Sequence, residues 1–165
     1  MGRSGQVAAA MIEYEQGNVH RINHFLKVTG FARTIGELTG LSPEDQETLE
    51  IAALTHDIGI KPSEEKYQSS DGVYQQLEGP PQARPMLEKL GCPPEQVERV
   101  CWLIAHHHDY PSVVALDHQI LVEADFLVNA FEGNASVQVI SRMRDSLFRT
   151  AAGRLLLEQL YGPLG

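Results

Sequence analysis

Apolar residues recur at helical spacing in the segments between punctuating glycines and prolines, and no run alternates Val, Ile or aromatic residues with polar ones for the length of a strand. The chain is therefore expected to be all-α. A short opening helix over about 7–15 stops at Gly17-Asn18. A long one over about 19–38 follows, with Phe25, Val28, Ala32, Ile35 and Leu38 along one stripe, and ends at Gly40. Ser42-Pro43-Glu44-Asp45 opens a third helix: Ser serves as N-cap, Pro needs no N–H partner at the first position, and the acids face the positive end of the dipole. That helix runs to about Asp57 and breaks at Gly59. Residues 59–79 carry Lys61-Pro62, Ser69-Ser70-Asp71-Gly72 and Gly79-Pro80-Pro81, which predicts a long irregular stretch with at most a helical turn at 73–77. Further helices are expected at about 82–90, 94–107, 117–131 and 136–160, the last with a break near Gly153.

One domain suits 165 residues: a helix over 1–17, a helical core over 18–132, and helices over 133–165 packing on that core. A net charge of −9 argues against binding a nucleic-acid polymer, which needs a Lys/Arg surface to displace counterions. Cys92 and Cys101 form no CxxC pair and read as reduced thiols. No stretch reaches the roughly 18 apolar residues of a membrane span, and the start of the chain lacks an apolar leader. The expectation is a soluble, cytoplasmic protein with no membrane partner.

Several residues in these helices carry chemistry. His20 and His24 are four apart, so they share one helix face at a spacing that lets two imidazoles reach one metal cluster. His56-Asp57 closes an apolar helix, and a helix end can turn two adjacent side chains toward one ion. The mixed O/N donor set suits Fe, Mn, Ni, Co, Zn or Mg over Cu(I). Asp125 lies in the run Ile-Leu-Val-Glu-Ala-Asp-Phe-Leu-Val, where an unpaired carboxylate would cost several kcal/mol or take up a proton. It needs a cation, either a metal or a buried Arg such as Arg21 or Arg84. His106, His107 and His108 close another apolar helix, with His108 expected to face solvent.

The order of these residues resembles the HD superfamily, in which a His on one helix is followed by a His-Asp pair and then a distant Asp. Here the pattern is His24 with Val28 and Ala32 after it, then Leu54-Thr-His56-Asp57-Ile-Gly59, then Glu123-Ala-Asp125-Phe-Leu, a resemblance covering roughly residues 18–130. It implies an HD-type helical bundle with His24, His56, Asp57 and Asp125 as metal ligands. Relatives with two metals add a His after the HD pair and one or two at the end of a later helix. His106 and His107 match the later positions, while the segment beginning Glu78-Gly79-Pro80 has Glu where the family has His. The resemblance thus implies one or two divalent metals per chain, the second held by Glu78, His106 and His107.

The activity implied is hydrolysis of a small phosphate ester, a nucleotide above all, by metal-activated water, with Asp57 at the reacting centre and His20 as proton shuttle. Lys61, close after Asp57, is the first candidate to hold the substrate's phosphate, with Lys66, Arg84 and Arg21 behind it. Two other readings fit the ligand set: a two-iron oxygenase, and a non-catalytic sensor that binds a nucleotide without turning it over. Apolar faces on the terminal helices are compatible with a homodimer.

Overall fold

Helix signals in the sequence become physical caps in the computed structural model, which describes residues 2–165. The described residues form nine α-helices and one 3₁₀ turn, with no strand: α1 (Ser4–Tyr14), α2 (Val19–Thr39), α3 (Pro43–Thr55), α4 (Ile60–Tyr67), α5 (Gly72–Lys89), α6 (Pro94–His106), the 3₁₀ turn Tyr110–Ser112, α7 (Leu116–Glu132), α8 (Val137–Ser146) and α9 (Ala151–Tyr161). The all-α expectation holds. Asn18 Oδ1 accepts from the Arg21 amide at 3.1 Å to start α2, and Ser42 Oγ accepts from the Asp45 amide at 3.1 Å to start α3. Gly40 ends α2 in the left-handed region at φ 85°, where a side chain would be strained.

The core lies where α2, α3 and α7 pack on one another, with α6 on the far side of α3 and α1 beside it. Phe25, Val28 and Ile35 of α2 meet Leu49, Ile51 and Leu54 of α3 and Ile120, Leu121 and Leu127 of α7, all buried. Each such side chain contributes about 1.5–3 kcal/mol by leaving water. The predicted stripe on α2 is buried through Ile35, but Leu38 is 64 % exposed, on the wall of a surface hollow that it shares with Val114 and Leu116.

One expectation about secondary structure is corrected. The stretch 59–79 is not irregular: α4 and most of the first half of α5 occupy it, separated by a short turn where Gln68 takes φ 52°. Pro80, Pro81 and Pro85 sit inside α5, and each interior proline disfavours a helix by about 3 kcal/mol. The helix persists because α5 packs along α6 and against α4. Its backbone also rests directly on the turn after α3. A Cβ on Gly59 would lie 2.6 Å from the Gln75 carbonyl oxygen and 2.8 Å from the Gly79 nitrogen, and one on Gly79 would lie 2.5 Å from Ile104 Cγ2. The final segment breaks between α8 and α9, before Gly153. The Thr150 hydroxyl accepts from the Gly153 amide at 2.9 Å, so Thr150 caps α9. The wholly buried Glu123 carboxylate accepts from the Arg149 and Thr150 amides and from the Thr150 hydroxyl, which fixes the break against α7.

Cys92 and Cys101 are both free and buried. Among the described residues no helix is long and apolar enough to cross a membrane.

Candidate metal centre

The ends of α3 and α6 are built alike. His56 follows the last residue of α3 and His107 the last of α6, and each Nδ1–H donates to the carbonyl three residues back, Ala53 at 2.6 Å and Ile104 at 2.7 Å. These bonds satisfy carbonyls that a helix C-terminus leaves without partners. They also fix which nitrogen carries the proton, so that in the neutral ring Nε2 presents its lone pair. His24, in mid-α2, reaches the same state by donating Nδ1–H to Glu132 Oε1 at 2.8 Å.

The free nitrogens converge with two carboxylates. His24 Nε2 lies 3.4 Å from His56 Nε2. Asp57 Oδ2 is 3.3 Å from both nitrogens, and Asp125 Oδ1 is 3.3 Å from His24 and 3.2 Å from His56. The turn after α3, continued by an Ile60 amide to Asp57 carbonyl bond at 3.0 Å, is what swings Asp57 beside His56. The other oxygen of Asp57, Oδ1, points to His107 Nε2 at 3.4 Å. Asp57 therefore belongs to two donor groups, one with His24 and His56 and one with His107 and His108.

The donors fit a metal. With the rings neutral, His107 Nε2 and Asp125 Oδ1 are buried with no donor facing them, a costly state for polar atoms unless an ion or a proton satisfies them. Donor separations of 3.2–3.4 Å match the edges of a shell with bonds of about 2.0–2.2 Å. Without a metal, protons take its place. Burial pulls the His24 pKa down, but hydrogen bonds to Asp125 and Asp57 outweigh it and hold the ring at about 9. His56, burial again opposed by Asp57 and Asp125, is also raised well above its ordinary value. Burial pushes both aspartates up, and the facing imidazoles, His56 first, bring them well below the carboxylate range.

Arg21 and Arg84 do not neutralise Asp125. Arg21 faces Glu15 at 3.3 Å and Glu64 at 3.4 Å, and Arg84 pairs with Glu98.

Two expected second-metal ligands join neither donor group. The Glu78 carboxylate is engaged by Lys66 Nζ and the Tyr67 hydroxyl, because in α5 it points toward α4. His106 donates Nδ1–H to the Trp102 carbonyl at 2.8 Å and stacks on the Trp102 ring, about 100° around the helix from its neighbour His107. His108 was expected in solvent; the residue does reach it, but its ring packs on His107, with centroids 3.9 Å apart, and Nε2 lies 3.2 Å from Gln75 Oε1. Burial of the ring first, and the charge of His107 second, lower its pKa to about 4, so it is neutral near pH 7.

The remaining candidates lie around this centre or away from it. His20, with its side chain 80 % exposed, meets Glu132 Oε2 at 3.3 Å and joins neither donor group. Lys61 Nζ donates to the Tyr14 carbonyl at 3.2 Å and stands over the Tyr14 ring. Lys66 is paired with Glu78, and Arg84 lines a surface hollow with Glu98, Arg99, Trp102 and His106. Glu132 and His108 were not anticipated. Glu132 could have been found from spacing, since it follows Asp125 by seven residues and so lies on the same helical face. His108 had no signal that separates it from a solvent-facing terminal histidine.

An all-helical scaffold that gathers histidines and aspartates from α2, the α3 end, the α6 end and α7 defines a buried candidate metal centre. The sequence profile of the HD domain matches residues 21–130. The chain belongs to the HD domain family, whose members are mostly metal-dependent hydrolases. Searches of curated proteins and of solved structures return no match.

Proposed function

We propose that this protein is a metal-dependent phosphohydrolase acting on a nucleotide or another small phosphate ester. The observation that carries the reading is the convergence of the three Nε2 lone pairs, each set by a bond at its Nδ1, on the Asp57 and Asp125 carboxylates. A divalent metal bound there supplies Lewis acidity toward a phosphoryl oxygen and lowers the pKa of a water. His24, His56, Asp57 and Asp125 would hold that metal. The chain's own residues do the rest: Asp57 presents one oxygen to each donor group, and the exposed His20, which meets Glu132 beside His24, is assigned as the proton shuttle. Lys61, next to Tyr14 at the start of α4, offers a cation to the substrate's phosphate. The few basic groups and the net charge of −9 favour a small anion over a polymer.

The same two-sided geometry of Asp57 supports a second metal, with His107 and His108 completing it. That keeps a two-iron oxygenase as the second reading. The test is to purify the protein without chelator or metal-affinity resin, measure metals per chain, and assay a panel of nucleoside phosphates and simple phosphomonoesters with Mn, Co, Ni, Zn, Mg and anaerobic Fe. Phosphate release that Asp57→Ala abolishes is expected. Dioxygen uptake by the iron form without phosphate release would replace this reading by the oxygenase, and tight nucleotide binding with neither reaction would replace it by the sensor.

A further inference from the structure

The last turn of α7 lies against the face of α2 that carries His20, His24 and Lys27. Glu132 stands seven residues after Asp125, so one face of α7 presents both carboxylates to α2. Glu132 is only 12 % exposed in its side chain. One oxygen accepts from His24 Nδ1 at 2.8 Å, and Lys27 Nζ lies 3.5 Å from the same oxygen. The other faces His20 Nε2 at 3.3 Å. His56 and His107 are oriented by backbone carbonyls, which are neutral. His24 is the one of the three held by a carboxylate.

We propose that Glu132 is a positioning residue: it fixes His24 in the Nδ1–H form, aims Nε2 at the metal, and strengthens that nitrogen as a ligand through its negative charge. The inference rests on the reading of His24 as a metal ligand. A carboxylate bonded to the far nitrogen of a ligating imidazole raises its basicity and removes the freedom of the ring to rotate. Loss of such a partner typically costs about 10–100-fold in metal affinity. Glu132 lies outside the matched family segment, which ends at residue 130, so the assignment comes from this chain's own packing. Lys27 and His20 hold the carboxylate from the outside and keep it from turning into solvent.

The test compares the wild-type chain with Glu132→Gln and Glu132→Ala, using zinc alone as the probe. Affinity is read by competition with a chromophoric chelator, and the His24 Nδ1 proton is followed by NMR in the zinc-loaded protein. Glu132→Ala should weaken zinc by about 10–100-fold. Glu132→Gln, which keeps an acceptor oxygen and loses the charge, should weaken it less. The Nδ1 proton should be protected in the wild type and exchange with solvent in Glu132→Ala, a change that a general loss of stability does not produce in a folded, zinc-loaded protein. Should Glu132→Ala fail to fold, the isosteric Glu132→Gln decides through its affinity. Wild-type affinity in both variants, or an Nδ1 proton as protected in Glu132→Ala as in the wild type, overturns the role of Glu132 alone. A wild type that binds no zinc overturns the metal-centre reading beneath it.

Discussion

Stripped of metal and taken from about pH 6.5 to about pH 9.5, the protein should lose roughly 3 kcal/mol of stability. The ordinary pKa of 6.5 applies to His24 in the unfolded chain, and the native ring is held at about 9 by Asp125 and Asp57 against the cost of burial. Because the folded state binds this proton more tightly, the stabilisation is complete below pH 6.5 and is lost as pH rises through the folded value near 9. At about 1.4 kcal/mol per pH unit the elevation is worth about 3 kcal/mol. His56 is shifted in the same direction and adds to the loss. For a chain of this size each kcal/mol moves the melting temperature by about 2–4 °C, so a fall of about 6–12 °C is expected. The assay is thermal unfolding by circular dichroism, in chelator and with one equivalent of metal. Metal needs deprotonated imidazoles, so the loaded protein should instead become less stable as pH falls. Asp125→Asn removes a partner of both rings and should flatten the metal-free profile. A wild-type melting temperature that is constant across this window, or an undiminished fall in Asp125→Asn, would refute the reasoning.

Asp57→Ala should abolish metal retention, measured by elemental mass spectrometry, while the far-ultraviolet circular dichroism stays that of the parent, since it removes a ligand at a helix end and little core volume. His107→Ala should lower the metal content toward one per chain, whereas Glu78→Ala and His106→Ala should leave it unchanged; a loss in either of the latter would restore them as ligands. Lys61→Ala should raise KM or lower kcat for a phosphorylated substrate by about 10-fold, the scale of one charge-assisted contact of roughly 1.5 kcal/mol. Unchanged kinetics would remove Lys61 from the site.

The sequence makes legible what depends on local chemistry. The cap at Ser42 acts within three residues, and the apolar run around Asp125 announces a buried charge whatever packs on it. The grouping of His24, His56, Asp57 and Asp125 follows from a pattern of types and order. What was not legible depends on distant contacts. The prolines of α5 read as breakers because the support of α4 and α6 is invisible in the string. The three consecutive histidines could not be sorted, since the exact residue at which α6 ends decides that His107 and His108 face Asp57 while His106 stacks on Trp102. His118 is another case: it is wholly buried and donates Nε2–H to the His106 carbonyl at 2.8 Å, tying α7 to the end of α6, a contact that no local pattern announces.

The contact between Gly59 and Gly79 restricts how this chain can diverge. Neither residue has a side chain to offer a metal, yet each touches a residue that is bonded to one of the site histidines. An alanine at Gly59 would push on the Gln75 carbonyl, and with it the residue that meets His108. An alanine at Gly79 would strike Ile104, whose carbonyl receives the Nδ1 proton of His107. Drift at either glycine is then felt as misplacement of a histidine a helix away. Descendants of this sequence should keep both positions small, or change them only together with residues 75 and 104.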